Sequence, residues 1–326
     1  MGIQMMRTGC KAVITVICLG MANLLPAQAP PPPKPLIAGG GECLMYAMGL
    51  WGDIYKTKVP GFSLDVRVQG EDKAFGDLTA GNIQMALLAR DASPEEVSAF
   101  AAKWGYPPTR VAVAMDALVW VVNKDNPIKK LTLPQIEAIF CADRSMGWPR
   151  DILTWGDAGV KAAGWADRPI NRYSRTMDSS VMGLIMLFMP PTPPKQPTPF
   201  MPDAMAMTEA LAADPYGICT ANLVEVFASL RAVPVAPPGS EVGVEPTPDT
   251  VSSGAYPYSR FLYVYVNKDA KKGMEPTLKG FLAFALSPEG QQLVKAAGQA
   301  PLARDIWGLN YLKVTDRFDI DSSTLR

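Results

Sequence analysis

The chain carries 31 acidic and 31 basic side chains but no histidine. Without an imidazole there is no Ser-His-Asp or Cys-His pair to activate a nucleophile. There is no H-E-x-x-H metal site either, and no ordinary general acid–base for neutral pH. Carboxylate pairs and lysine-assisted steps remain available, whereas the usual hydrolase chemistries do not. Of the five cysteines, Cys10 and Cys18 fall within the first 29 residues and are expected to leave with a leader. Cys43, Cys141 and Cys219 remain, an odd set in which at least one thiol has no intrachain disulfide partner. Met177, Met182, Met186 and Met189 recur through one short stretch. Thioethers suit Cu(I), but Met at helical spacing serves core packing far more often, and Met201, Met205 and Met207 read the same way. No cofactor and no metal is expected.

The elements that must position any site begin after a leader. Arg7 and Lys11 precede an apolar run from Ala12 to Leu25 and then Pro26-Ala27-Gln28-Ala29, the order of a secretory signal peptide over residues 1–29. The run is short for a bilayer span, which needs roughly 20 apolar residues; an uncleaved anchor is the alternative. Removing Arg7 and Lys11 from the 31 basic residues leaves 29 against 31 acidic ones, a net charge of −2. Such a balance leaves no footprint for nucleic acid or for an anionic membrane surface.

Residues 30–35 (PPPPKP) form a stiff spacer. Leu36–Ala38 reads as a strand running into Gly39-Gly40-Gly41, and Leu64–Val68 alternates as a strand does before Gly70. Between them Leu44, Met48, Trp51 and Tyr55 share a helix face. Helices are expected from Gly70 to Ala80, from the Ser93-Pro94-Glu95-Glu96 start, and from Thr132-Leu133-Pro134-Gln135. Ile83–Leu88, the valine-rich run 111–122 and Phe261–Val266 read as strands, and a helix pair broken at Ser287-Pro288 covers 278–297. Two Pro-rich segments, 190–199 and 234–248, read as mobile loops. Alternating strands and helices argue an α/β fold with a largely parallel sheet. The two apolar strands 117–122 and 262–266 flank a separate α/β block, which suits two crossovers between lobes, near 117–125 and 255–262.

Several long motifs then match a family. Glu245-Pro246-Thr247-Pro248, Ser253-Gly254-Ala255-Tyr256-Pro257-Tyr258-Ser259-Arg260-Phe261-Leu262-Tyr263-Val264-Tyr265-Val266-Asn267 resembles a "PT…SG.YP.SR.LY.YVN" segment of the phosphate-binding proteins of ABC transporters. Asp116–Asn123, Asn126-Pro127, Leu131–Ile136 and Trp155 resemble the same family's hinge strand and the first helix of its second lobe. Leu286-Ser287-Pro288-Glu289-Gly290-Gln291 with Gly298 and Pro301-Leu302 resembles its closing helix pair. The resemblance covers most of 37–303.

It implies a two-lobed periplasmic-binding-protein type II fold, α/β, with the second lobe inserted into the first through two hinge crossovers. Lobe 1 is expected at 36–120 plus 258–326 and lobe 2 at 121–257. It also implies a cleft that closes on a small oxyanion, gripped by backbone N–H groups and hydroxyls at helix N-termini, by an arginine, and by a carboxylate that accepts a phosphate proton.

Carried over by position, the ligand-binding set is Gly41, Glu42, Glu71, Arg90, Arg175, Asp178, Ser179 and Ser180, and it departs from the family. Glu42 stands at the first loop's hydroxyl position, and Glu71-Asp72 follow Gly70 where the family offers serine. Ala89 replaces a polar residue, and Arg175-Thr176-Met177-Asp178-Ser179-Ser180-Val181 loses the glycine and threonine of its motif. Two carboxylates in a dry cleft repel phosphate by roughly 4 kcal/mol per unit-charge pair at 4 Å and effective dielectric 20. Such a site suits a zwitterion or a ligand amine better, unless the two glutamates simply face solvent at helix starts. Arg90 and Arg175 can equally be salt-bridge residues, and Ser179 a plain N-cap.

The expected function is an exported, monomeric solute-binding protein, not an enzyme, that takes phosphate or another small oxyanion or zwitterion. Its partners would be that small-molecule or anion ligand and an ABC permease, with no nucleic acid and with the membrane reached only through the permease. The alternative is a degenerate relative serving as a sensor, adhesion or assembly partner without tight phosphate binding.

Overall fold

The computed structural model describes residues 34–176, 180–191 and 193–316. The leader over 1–29 with Cys10 and Cys18, the first prolines of the spacer, and Met177, Asp178 and Ser179 lie outside the described residues.

Strands and helices alternate from the start: β1 (Leu36–Gly40), α1 (Met45–Lys58), β2 (Leu64–Val68), α2 (Glu71–Ala80), β3 (Met85–Leu88), α3 (Pro94–Trp104) and the long β4 (Thr109–Asn123). There follow β5 (Leu131–Thr132), α4 (Leu133–Phe140), β6 (Asn171–Arg175), α5 (Ser180–Phe188), β7 (Phe200–Met201) and α6 (Ala204–Ala213). The chain goes on through β8 (Gly217–Asn222), β9 (Leu230–Ala232), β10 (Val235–Ala236) and α7 (Pro248–Ser252). It closes with β11 (Ser259–Val266), α8 (Pro276–Ala285), α9 (Pro288–Ala296) and α10 (Arg304–Thr315).

Local chemistry sets several boundaries. At the start of α3, the Glu96 N–H donates to Ser93 Oγ at 3.2 Å and the Ser93 N–H donates to the Glu96 carboxylate at 2.7 Å, with Pro94 in the first turn. Thr132 and Gln135 make the same reciprocal pair at α4. At Gly40 a β-carbon would stand 2.1 Å from the Leu87 carbonyl oxygen, so glycine is what lets β1 close on β3.

Among the described residues, nine strands make one hydrogen-bonded path, β2-β1-β3-β11-β4-β8-β6-β7, with β9 also on β4, and β5 and β10 pair apart from it. The expected parallel pairing holds at the two ends, in β2-β1-β3 and in β8-β6-β7. The middle is antiparallel, because β4 and β11 run against their neighbours. β4 is 15 residues long and changes partner midway: Thr109–Ala117 pairs with β11, and Leu118–Val122 pairs with β8. The chain comes back beside that point. The Leu118 N–H donates to the Tyr258 carbonyl at 2.8 Å, and the Tyr256 hydroxyl donates to the Leu118 carbonyl at 2.7 Å. The two crossovers therefore lie side by side, the second α/β lobe is inserted into the first, and β4 is shared by both.

The Pro-rich segments are tied down more than their composition suggests. Val235 and Ala236 are buried as β10 against β5, and Lys130 bonds to Glu241. In the other, the Lys195 N–H donates to the Phe140 carbonyl at 2.7 Å and the Lys195 ammonium to the Ala138 carbonyl at 2.8 Å. The methionines divide. Met189 and Met207 pack in the core, whereas Met186 and Met205 are 66% and 59% exposed, a correction to the all-core expectation. On α5 the inward face is Val181 and Leu184, and Met186 falls on the side away from them. Cys43, Cys141 and Cys219 are buried, and no disulfide forms among the described residues.

Candidate functional site

Two walls meet at the crossover. The first wall is built where β1 and β3 end and α2 begins, the end of a parallel sheet at which α/β folds place ligands. Gly41 follows β1, and a β-carbon on it would lie 3.1 Å from Glu71 Oε1. Glu71 opens α2 after Gly70, whose φ of 79° turns the chain into the helix. Its carboxylate points inward: Oε1 accepts from the Ala89 N–H at 2.8 Å, and Oε2 lies 3.4 Å from Arg90 Nε. Arg90 holds two more acids, Asp72 at 2.5 Å and Glu96 at 2.7 Å. Glu42 is exposed in a short 3-10 turn. Of the two glutamates expected in the cleft, the structure brings Glu71 into the site and leaves Glu42 at the surface.

The second wall comes from β6 and α5. Arg175 ends β6 at 5% exposure, and its Nη1 lies 3.2 Å from Glu225 Oε1. Its Nε is buried with no hydrogen-bond partner among the described residues. Ser180 is the first residue of α5, while Asp178 and Ser179 lie outside the described residues. Val181, where a threonine hydroxyl would serve the family, is fully buried.

Between the walls stand two residues that carry the crossover and were not assigned a site role from the sequence. Asp116 on β4 is fully buried and faces Arg260 on β11, its cross-strand partner, at 3.6 Å. Its Oδ1 accepts from the Ala117 N–H at 2.9 Å and from the Leu223 N–H at 3.2 Å, so it also ties in the turn after β8. Arg260 reaches Cys43 Sγ at 3.5 Å on one side and comes within 3.8 Å of where a β-carbon on Gly183 of α5 would be on the other. A sequence signal for Asp116 exists, since it is the one charge inside the valine-rich run 111–122.

Electrostatics follow from burial. Glu71 is held above the ordinary carboxylate range by desolvation, only partly offset by the Ala89 N–H and by Arg260 and Arg90. Asp116 and Glu225 are raised for the same leading reason, and the negative charge of Asp116 raises Glu225 a little further. The Cys219 thiol is pushed up by burial, away from the thiolate a nucleophile would need. Inside the junction, Glu71, Asp116 and Glu225 face Arg175 and Arg260. Such a set can hold and orient a small ligand. Among the described residues no group of acids and cysteines is arranged to hold a metal ion.

The fold and this junction define a binding protein of the two-lobed periplasmic type. A family model for the PBP superfamily domain matches residues 27–289. Phosphate-binding protein PstS from Pseudomonas aeruginosa is 35% identical over 269 residues, which is 81% of each chain. Protein SphX from Synechococcus elongatus is 25% identical over 316 residues, 94% of this chain and 88% of that one. Among solved structures, a Clostridium perfringens protein with bound phosphate has a TM-score of 0.65 at 22% identity, covering 82% of this chain and 100% of that one. An ABC-type phosphate transport receptor from Vibrio cholerae has a TM-score of 0.58 at 19% identity, covering 81% and 99%. The chain belongs to the PstS-like phosphate-binding family of the PBP superfamily. No helix among the described residues is long and apolar enough to cross a membrane.

Proposed function

We propose that this chain is the solute-binding component of an ABC importer and not an enzyme. Its ligand is a small oxyanion or zwitterion, held in the cleft between lobe 1 (36–120 with 258–326) and lobe 2 (121–257). The observation that carries this reading is Arg175: a guanidinium 5% exposed, at the end of a strand and just before α5, with a buried Nε that no described residue satisfies. A buried donor of that kind is costly unless something accepts from it, and a ligand oxygen is the natural acceptor. Gly41, Glu71 and Arg90 form the facing wall, with Glu42 at its rim, and Asp178, Ser179 and Ser180 follow Arg175 in the chain. The leader over 1–29 sends the protein to the periplasm as a monomer that meets the membrane through its permease. N-terminal sequencing of periplasmic material that still starts at Met1 would refute the cleaved leader.

The test is a thermal-shift panel of phosphate, other oxyanions, amino acids and aminophosphonates, with scattering to follow domain closure. At least one compound is expected to raise the melting temperature and compact the protein; none doing so removes the solute-binding reading. One observation favours a second reading, a sensor or assembly partner without tight phosphate binding. Arg90, Arg175 and Arg260 each already face a carboxylate. A single compact state that no panel compound alters is its signature.

A further inference from the structure

We infer that the Glu71 carboxylate acts as the protein's own anion: it occupies the donors of the first wall, so the cleft rejects free phosphate and favours a zwitterion whose cation meets Glu71. This rests on the solute-binding reading of the cleft and names the ligand class within it.

The donors in question are specific. The Ala89 N–H leaves the end of β3 and points to Glu71 Oε1 at 2.8 Å. Arg90 Nε approaches Glu71 Oε2 at 3.4 Å, and Arg260 adds a favourable charge from the crossover. Gly41 has no side chain, and its open side faces Glu71 Oε1. A backbone N–H, two guanidiniums and a side-chain-free corner make a cradle for a small group with two or three oxygens. Here a two-oxygen group from α2 already fills it.

Were Glu71 only the first residue of α2, favoured there by the helix dipole, its carboxylate could stay in water at the helix end. Instead it is turned inward to a position 19% exposed, at a desolvation cost, and it accepts from the Ala89 N–H just after β3. Asp72, the next residue, is the one that stays out, at 93% exposure.

The consequence for specificity is a matter of sign. A phosphate entering this cleft meets Glu71 with its donors already engaged, and it meets Asp116 and Glu225 beyond. A ligand with an oxyanion at one end and an ammonium at the other sends the oxyanion to Arg175 and the first turn of α5. Its ammonium goes to Glu71, whose second oxygen has, among the described residues, the 3.4 Å contact with Arg90. Discrimination comes as much from the repulsive carboxylate as from the attractive one.

The experiment is calorimetric titration of the purified protein with inorganic phosphate and with 2-aminoethylphosphonate. It compares wild type with Glu71→Gln and Glu71→Ser. Wild type is expected to prefer the aminophosphonate. Both variants should gain phosphate affinity by about 10- to 100-fold and lose the preference, the range that one hydrogen bond to a charged group supplies. Glu71→Gln keeps an acceptor for the Ala89 N–H and so guards against misfolding of the serine variant, and the wild-type preference needs no variant at all. Wild type binding phosphate more tightly than the aminophosphonate, or variants with unchanged or weaker phosphate binding, would overturn the inference. If the wild type binds a panel compound while Glu71→Gln leaves phosphate affinity unchanged, the inference alone falls. If the wild type binds neither these two compounds nor any other panel member, the solute-binding reading falls and the inference, which rests on it, falls with it.

Discussion

Arg260 and Asp116 are opposite one another across β11 and β4, one residue before β4 passes from one lobe to the other. Their side chains meet at 3.6 Å with Asp116 fully buried. The pair closes the junction from inside: Asp116 accepts from the Leu223 N–H just after β8, while Arg260 reaches Cys43 just after β1. Both lobes are anchored to the same two strands at the point about which a cleft would open. Burial disfavours both charges, and each offsets part of that cost for the other.

Removing one member is therefore expected to cost more than removing both. Asp116→Ala should lower unfolding stability by about 3–5 kcal/mol, because it removes the fully buried carboxylate that faces the Arg260 guanidinium. The double variant Asp116→Ala with Arg260→Met should recover part of that loss. Urea unfolding of the single and double variants measures the coupling, and strictly additive losses would show that the two side chains do not depend on each other.

The pH dependence of stability has a definite sign. Glu71, Asp116 and Glu225 are raised by burial, so the folded protein takes up protons at a pH where the unfolded chain has already released them. Their contribution to stability is largest at acidic pH and diminishes as pH rises from the ordinary carboxylate range toward the folded values. Asp77, Asp151 and Asp316, held low by lysine or arginine partners, work the other way and lose their contribution as pH falls. Comparing variants separates the two groups. Relative to Glu225→Gln, wild type should lose stability as pH rises out of the ordinary carboxylate range. Urea melts over a series of pH values check it, and a difference that stays flat or rises with pH contradicts the assignment for Glu225.

How much of this was legible follows from which residues speak locally. Capping boxes at Ser93 and Thr132 announce α3 and α4 because both bonding partners lie within four residues. The valine-rich run gives β4, and its asymmetry around Asp116 hints at the crossover. β6 was missed: Asn-Arg-Tyr-Ser-Arg is polar, and it is a strand only because β8 and β7 flank it. α10 was missed for a related reason, since its buried residues Trp307, Asn310 and Val314 include an asparagine whose amide serves β4 through the Ala112 N–H. β10 lay hidden in a proline-rich stretch because its two residues pair with β5, more than a hundred positions away. In the candidate site, sequence position pointed to Glu71 and Arg175 but could not show that Glu71 turns inward while Glu42 stays out. That difference depends on the Ala89 N–H at the end of β3, a partner 18 residues away.

The charge of Arg175 alone should not be enough for binding. A planar guanidinium can keep its bond to Glu225 and still offer Nε, whereas a lysine ammonium at that place must choose one direction. Arg175→Lys should therefore weaken binding of whichever panel compound the wild type takes by at least about 10-fold, the value of one charge-assisted hydrogen bond. Its melting temperature should stay close to wild type, because Glu225 keeps a cation nearby. Unchanged affinity with Arg175→Lys would take Arg175 out of the ligand's reach.

The second crossover offers a test of the hinge that leaves the charges alone. Tyr256 is fully buried, and its hydroxyl donates to the Leu118 carbonyl at 2.7 Å, just where β4 changes partner. The ring also packs edge-on against Tyr258 at a centroid distance of 5.5 Å, and Tyr258 in turn packs against Trp120 of β4. Tyr256→Phe keeps the ring contacts and deletes only the hydroxyl, so the expected loss is about 1–1.5 kcal/mol, the net worth of one buried neutral hydrogen bond. Because the deleted bond joins the two crossover segments, amide exchange should quicken at Leu118 and at its neighbours on β4 and β11 more than at β1 or β2 on the far edge of lobe 1. Hydrogen-exchange mass spectrometry of the variant reads that pattern directly. A loss of protection spread evenly over the whole chain would mean that the Tyr256 hydroxyl supports global stability and has no special part in joining the crossovers.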